Sequence, residues 1–345
     1  MARRTRSKQR KKRSGATGGF LVFLILLIAA GAAGWFVLLP YGPGAETFVH
    51  IAQGSSAIRI GSQLEEAGVV RSRYAFDLLR CVLGGKLKAG TYRFDHPAPV
   101  TEIYNRIARG DVYTIALTIP EGANIFDIAA RVQQTGLGSR EEFLAAAVSQ
   151  TALIADLDPN AKSLEGYLFP DTYRFSPPVT PAQMTAAMVR RFRAVAAQLG
   201  LDGNVHQVVT LASLVERETA VQAERPLVAS VFTNRLNKNM RLMADPAVIY
   251  GLELEGRWRG TIYKSDLDNP TAYNDYLHAG LPPGPIANPG IPSLRAALHP
   301  ADTDYLYFVA ANSNPQGHSL FSATLDEHIR NVAGYRKALK QAGAQ

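Results

Sequence analysis

The sequence holds one cysteine, Cys81, among 345 residues. A single cysteine forms no intrachain disulfide and no thiolate metal cluster. It lies in the apolar stretch 76–83, where a buried core thiol is expected rather than a nucleophile. The seven histidines (His50, His96, His206, His278, His299, His318 and His328) show no metal-ligand spacing. The motif G-x-x-x-x-G-K-[ST] is missing, as are G-x-S-x-G and H-E-x-x-H. Their absence sets aside P-loop phosphate chemistry, the serine nucleophile elbow and the helical zinc-protease site.

Acid is missing where base is dense. The chain has 37 Lys+Arg against 29 Asp+Glu, a net charge of +8. Residues 1–13 alone hold Arg3, Arg4, Arg6, Lys8, Arg10, Lys11, Lys12 and Arg13, with no acid among them. The other 29 basic residues therefore balance the 29 acids. A nucleic-acid-binding domain spreads its positive charge over a folded face. Here a short tail holds the whole excess, which argues against nucleic acid as a partner of the body.

Charge is absent altogether from residues 20–39, FLVFLILLIAAGAAGWFVLL. Twenty helical residues span about 30 Å, the thickness of a bilayer's hydrocarbon core. Trp35 lies near one end, where interfacial aromatics collect. The alternative is a cleaved signal peptide with Ala30-Gly31-Ala32 as its small-residue site. The apolar run continues past that site to Leu39, which favours an uncleaved anchor. The basic tail before it then stays cytoplasmic and the body faces the other side.

The expected division is a basic tail over 1–19, a transmembrane helix over 20–39, a Gly/Pro linker over 40–45, a small module over 46–155 and a larger domain over 156–345. A weak repeat with an offset of about 68 residues runs through the small module. It pairs Ile51, Gly54, Ile58, Ile60, Leu64 and Gly68 with Ile119, Gly122, Phe126, Ile128, Val132 and Gly136. Each copy reads as a strand, a glycine turn and a short amphipathic helix stopped by glycine. Such a module either binds glycan or acts as a spacer. Residues 89–94 read as a strand and 100–109 as a helix. Helices follow at about 180–198, 208–218 and 224–236, a strand at 305–309 and a last helix opened by Thr324-x-x-Glu327. The fold class is α+β.

The segment Leu211-Ala-Ser-Leu-Val-Glu216-Arg-Glu218-Thr219 is the informative one for chemistry. On a helix, Glu218 shares a face with Leu211, Leu214 and Val215, while Glu216 lies about 200° around. Glu218 is therefore the carboxylate sent toward the core. Desolvation there raises a carboxyl pKa and keeps the proton a general acid needs. The competing structural reading pairs a buried Glu218 with Arg235 or Arg241. Glu216 reads as an exposed helix charge, or as a partner of Arg217 or Arg225.

Several long stretches resemble one known family. They are Ala212-Ser-Leu-Val-Glu-Arg-Glu-Thr-Ala220 with Glu224-Arg225, and Ser230-Val-Phe-x-Asn234-Arg-Leu236. Met240-Arg-Leu-x-x-Asp245-Pro-x-Val-Ile-Tyr250-Gly251, Pro270-Thr-Ala-Tyr-Asn274 and Gly280-Leu-Pro-Pro-Gly284-Pro-Ile belong with them. Upstream, Glu165-Gly-Tyr-Leu-Phe-Pro-Asp-Thr172 and Ala89-Gly-Thr-Tyr-Arg-Phe94 also match. Together they resemble the endolytic murein transglycosylases, the YceG-like family. The basic tail is longer and more charged than this pattern.

That resemblance implies cleavage of the β-1,4 bond between N-acetylmuramic acid and N-acetylglucosamine, leaving a 1,6-anhydro end. The family's glutamate falls on Glu218. The resemblance implies no cofactor and no metal. It implies a LysM-like small module, a bacterial inner-membrane anchor with a periplasmic body, and membrane-bound peptidoglycan synthases (penicillin-binding proteins) as partners. Tyr250, Tyr273 and Asn274 are types that contact sugar rings and acetamido groups, or else core tyrosines and a turn asparagine. Asp245 is a helix cap or a site residue. Asn234 either holds Glu218 or satisfies a loop. Residues 280–292, with five prolines and three glycines, are a rigid connector or one wall of a groove.

Two other functions stay open on the residues alone. A hydrolytic muramidase needs a second carboxylate, for which Asp171, Asp245 and Asp266 are candidates. A non-enzymatic glycan-binding scaffold needs none.

Overall fold

The computed structural model describes residues 14–311 and 317–342, so the basic tail over 1–13 lies outside the described residues. The chain divides into two compact units, residues 1–114 with 176–178, and residues 115–175 with 179–345.

The first unit begins with α1 (Ser14–Leu38), whose segment Gly19–Leu38 is long and apolar enough to cross a membrane. There follow β1 (Thr47–Ile51), α2 (Ala57–Glu66), α3 (Arg73–Leu83), β2 (Gly90–Phe94) and α4 (Val100–Arg109). β1 and β2 pair antiparallel, with Val49 opposite Tyr92 and Thr47 opposite Phe94. Alternation turns Val49 and Ile51 inward and leaves Phe48 and His50 outside. The core joins Ile60 and Leu64 of α2, Phe76 of α3, Tyr92 and Phe94 of β2, and Ile103 and Ile107 of α4. The helix expected over 100–109 is present, and Gly110 ends it in a left-handed conformation at φ 80°.

Two local expectations change here. Cys81 is exposed, because α3 turns Ala75, Phe76 and Leu79 inward and puts Cys81 on the opposite side. Residues 40–45 are not a free linker. Tyr41 forms an isolated β-bridge with Ala98, with both backbone hydrogen bonds at 3.1 Å.

The second unit contains β3 (Ile115–Thr118), α5 (Ile125–Gln134), α6 (Arg140–Ser149), β4 (Thr172–Phe175), α7 (Pro181–Leu199), α8 (Val205–Glu218) and α9 (Arg225–Asn237). It continues with α10 (Asp245–Leu254), α11 (Lys264–Leu267), α12 (Ile291–Leu298), β5 (Tyr307–Ala310), β6 (Ser319–Ser322) and α13 (Leu325–Ala342). β3 pairs with β4 and β5 with β6, both antiparallel. The class is mixed α+β.

The repeat is visible, but its copies fall in different units. Each copy is strand–helix–helix–strand, with turn glycines Gly54 and Gly122 at φ 81° and 77°. The division falls after Thr114 rather than after residue 155 because the second copy shares the large core. Ile119, Ile128, Val132, Phe143 and Ala147 pack with residues of α7 and α8.

Candidate active site

α8 begins one turn earlier than expected and buries Val209, Leu211, Ala212, Leu214 and Val215. It packs against α9, α10 and α12. Ser213 fixes it further, accepting from the Ile286 N–H at 3.0 Å and donating to the Thr210 carbonyl at 2.7 Å. Residues 280–292 thus run as a connector whose stretch 284–290 is buried. Asn288 holds that stretch by donating to the Ala123 carbonyl and to Glu165 and by accepting from the Leu168 N–H.

The helix stops at Glu218. Thr219 turns into an extended conformation, and its hydroxyl accepts from the Val221 N–H. Glu218 therefore stands at the last turn, where unpaired helix carbonyls concentrate negative potential. The residue is half-buried, but its Oε2 is sealed from solvent and, among the described residues, has no hydrogen-bond partner. It opens into a cavity of about 250 Å³ lined also by Thr219, Val221, Phe308, Ala310 and Ser319. Burial pushes the Glu218 carboxyl up to about 7, with the Asp245 and Asp275 charges adding to the rise and Arg235 opposing it. A carboxyl titrating there still carries its proton in an appreciable fraction at neutral pH.

No ion pair to Glu218 is seen among the described residues. Arg235 is engaged elsewhere, donating to the Leu306 and Leu242 carbonyls at 2.7 Å each and lying 5.3 Å from the Tyr307 ring centroid. Arg241 contributes only its carbonyl to that arrangement.

Two other acids complete the electrostatic surroundings. Asp275 is buried, and both its oxygens accept from the Ala244 N–H at 3.1 Å. Burial pushes it up to about 7. Asp245, the next residue after Ala244, is exposed at the start of α10 and accepts from the Tyr276 hydroxyl at 2.6 Å. The adjacent pairs Ala244–Asp245 and Asp275–Tyr276 are thereby locked together across two loops.

Glu216 behaves differently from the exposed charge one reading allowed. Its side chain is only 4% exposed and pairs with Arg225 at 2.7 Å. Its other oxygen accepts from the Gly290 N–H at 2.9 Å. Arg225 is the partner foreseen among its two arginines. A Cβ at Gly290 would lie 1.9 Å from Glu121 Oε1, so a side chain there would have to push the half-exposed Glu121 side chain aside.

Comparison with known proteins adds the decisive observation. The model of the YceG-like family matches residues 49–334. The chain belongs to the YceG-like family. A curated relative from Bacillus subtilis (strain 168), named endolytic murein transglycosylase, is 34% identical over 83% of this chain and 84% of its own length. A second of the same name, from Streptococcus pneumoniae (strain D39), is 30% identical over 86% of this chain, and the match spans 60% of that longer protein. A crystal structure of a YceG-like protein from Listeria monocytogenes aligns with TM-score 0.54 and 33% identity, covering 83% of this chain and 98% of the other.

The remaining family-motif residues are spread over several places. Tyr250 is buried between the rings of Phe126 and Tyr273, at centroid distances of 6.2 and 5.0 Å, with its hydroxyl against Glu165. Tyr273 is partly buried beside it and faces Gly284. Asn274 is fully buried, donating to the Leu267 and Asn269 carbonyls and accepting from the Tyr276 N–H. Asn234 donates to the Thr303 and Tyr305 carbonyls, so it ties a loop and does not hold Glu218. Of the second-carboxylate candidates, Asp171 pairs with Arg191 and the buried Asp266 pairs with Arg259. Of these three candidates, Asp245 is the one whose charge bears on Glu218. The strand expected at 305–309 is β5, whereas Asp275, Tyr276 and β6 with its pairing to β5 escaped sequence reasoning. Asp275 and Tyr276 directly follow the Pro270–Asn274 motif, and that adjacency was the available signal.

Proposed function

We propose that the chain is an endolytic lytic transglycosylase of peptidoglycan, anchored by α1 in the bacterial inner membrane. The carrying observation is the Glu218 carboxyl, raised to about 7 by burial, at the lip of a cavity of about 250 Å³, with an Oε2 that is sealed and, among the described residues, unpartnered. The names of the curated relatives support the same reading. Protonated Glu218 gives its proton to the glycosidic oxygen between N-acetylmuramic acid and N-acetylglucosamine. The resulting carboxylate takes the proton of the muramic acid 6-hydroxyl, whose oxygen attacks the anomeric carbon of the same sugar. One bond to the anomeric carbon breaks, one forms, and the product carries a 1,6-anhydro end. No water is consumed, and the Glu218 proton is restored.

The rest of the reading follows this chemistry. The strand–helix–helix–strand order of the first unit supports a LysM-like, glycan-binding role for it. The basic tail supports a cytoplasmic N-terminus and a periplasmic body. Membrane-bound penicillin-binding proteins are the partners that supply nascent strands.

Asp245 keeps a hydrolytic muramidase as the second reading, since its charge bears on Glu218. Mass spectrometry of glycan released from purified sacculi separates the two. Anhydro ends support the transglycosylase, and reducing ends in their place would overturn it. Glu218→Gln releasing as much glycan as the parent protein would remove both enzymatic readings.

A further inference from the structure

α3 carries a row of large apolar side chains that the module leaves open. Tyr74, Leu78 and Val82 recur at helical spacing and are 68%, 48% and 72% exposed. Exposed Cys81 lies between them on the helix surface. The row extends about 12 Å along the helix. The neighbouring face of α3 supplies Ala75, Phe76 and Leu79 to the core, so the row widens the apolar surface of the helix beyond the part the core covers. An unpartnered apolar row of this kind marks an interaction surface.

Its position says what covers it. The row is continuous with the end of α1 that leaves the apolar span. A groove of about 260 Å³ is lined by Phe36 and Val37 of α1 and by Ser72, Tyr74, Ala75 and Leu78 at the start of α3. The junction is braced. Val37 packs against the module core, and the Tyr41–Ala98 bridge follows three residues after the helix end. The Arg71 guanidinium lies 5.6 Å from the Trp35 ring centroid and 5.0 Å from that of Tyr41. Aromatics at the end of a span, arginines beside them and an apolar helix face next to both make up the composition of a membrane interface. Arg73 donates to the Tyr74 hydroxyl at 3.1 Å, and Arg80 in the last turn of α3 lies on the same side, where it can meet lipid phosphates.

We propose that α3 is an interfacial helix whose Tyr74–Leu78–Val82 face lies in the headgroup and upper acyl region of the leaflet where α1 ends. This rests on the reading of α1 as a membrane span. The module is then held flat on the bilayer surface instead of hanging from a flexible tether.

The native single cysteine supplies the probe. The full chain is reconstituted in vesicles of phosphatidylethanolamine and phosphatidylglycerol, and Cys81 is labelled with a small fluorophore. Quenching by acyl-brominated lipid is compared with quenching by aqueous iodide. A second protein, Ala30→Cys with Cys81→Ser, places the same label inside the apolar run. The expected result is brominated-lipid quenching at both sites, with Cys81 shielded at least several-fold from iodide. Leu78→Glu with Val82→Glu, at exposed positions, is expected to abolish the lipid quenching at Cys81. Lipid quenching at position 30 with free iodide access to Cys81 overturns the interfacial helix and leaves the anchor intact. No lipid quenching at position 30 overturns the anchor, and the inference with it. Undiminished quenching in the double-glutamate protein means that the dye, not the row, seeks lipid, which also overturns the inference. So does iodide shielding that appears only in native membranes, since a protein partner would then be the cover.

Discussion

The Tyr276 hydroxyl donates to Asp245 Oδ1 at 2.6 Å, and through this bond a surface acid is held where its charge acts on Glu218. Asp245 is exposed and would otherwise be free to turn toward water. The neighbouring Asp275 fixes the backbone of the same loop through the Ala244 N–H. These contacts add, from a distance, to the rise in the proton affinity of Glu218 that burial begins.

Asp245→Asn is therefore expected to move the pH profile of glycan cleavage. A general acid works while it holds its proton, so the rate falls as pH rises through the pKa of Glu218, about 7. Removing the Asp245 charge removes a cause that raises this pKa. The alkaline limb should shift to lower pH, with little change at pH 5, where Glu218 is protonated in either protein. Tyr276→Phe should shift the limb in the same direction by less, because the freed carboxylate is partly screened by water. A uniform loss of rate at all pH values, with no displacement of the limb, would assign both residues to the scaffold alone.

Glu218→Gln is expected to lower the rate of anhydro-end formation by roughly 10²–10⁴-fold, the range general acid–base catalysis commonly supplies. The same change should leave the fold intact or slightly more stable at neutral pH and above. Glu218 has a folded pKa raised above its ordinary value, so it opposes folding once it is ionised. Thermal unfolding at pH 8, run beside the activity assay, checks that lost activity is not lost structure.

Much of this was legible in the sequence where local patterns decide. The Thr180 capping box and Pro181 open α7, and Gly110 closes α4, as their residue types require. The helix-face geometry that turned Glu218 toward apolar neighbours rests on the 3.6-residue period, which the fold keeps. That geometry alone does not bury Glu216: Arg225, nine residues on, is one of the partners its residue type offered, but the Gly290 N–H comes from far along the chain. Asp275 and Tyr276 were invisible for a like reason. Their meaning depends on the register of two loops, which no periodicity encodes. Cys81 was misread because an apolar stretch on a short helix has two faces, and only tertiary packing selects the buried one.

The Glu216–Arg225 pair gives a sharp stability test. Both side chains are under 10% exposed, and their contact is 2.7 Å. Removing one partner of such a pair strands a buried charge and costs about 3–5 kcal/mol. Arg225→Met and Glu216→Leu should each destabilise the chain by that order in urea unfolding. The combined Glu216→Leu, Arg225→Met protein should recover much of the loss, since neither charge is left unpaired. Recovery should be incomplete, because the Gly290 N–H loses its acceptor, a cost of roughly 1–3 kcal/mol for a buried donor. Strict additivity of the two single changes would mean that the pair is not coupled.

Glu165 predicts the direction in which stability changes with pH. It is buried, accepts from the Ile125 N–H at 2.9 Å and from Asn288 Nδ2 at 2.8 Å, and burial pushes it up to about 8. Its unfolded value is the ordinary 4.5, so the folded state binds the proton more tightly. The stability linked to this proton is whole below about pH 4.5 and is lost as pH rises through 8. Glu218 and Asp275, both raised to about 7, act with the same sign. The melting temperature should therefore fall between pH 5 and pH 9. Glu165→Gln keeps an acceptor and a similar shape but has no titrating proton, so its melting temperature should fall less steeply over the same interval. Parallel slopes for the two proteins would show that Glu165 stays ionised in the fold, held by its two N–H donors despite burial.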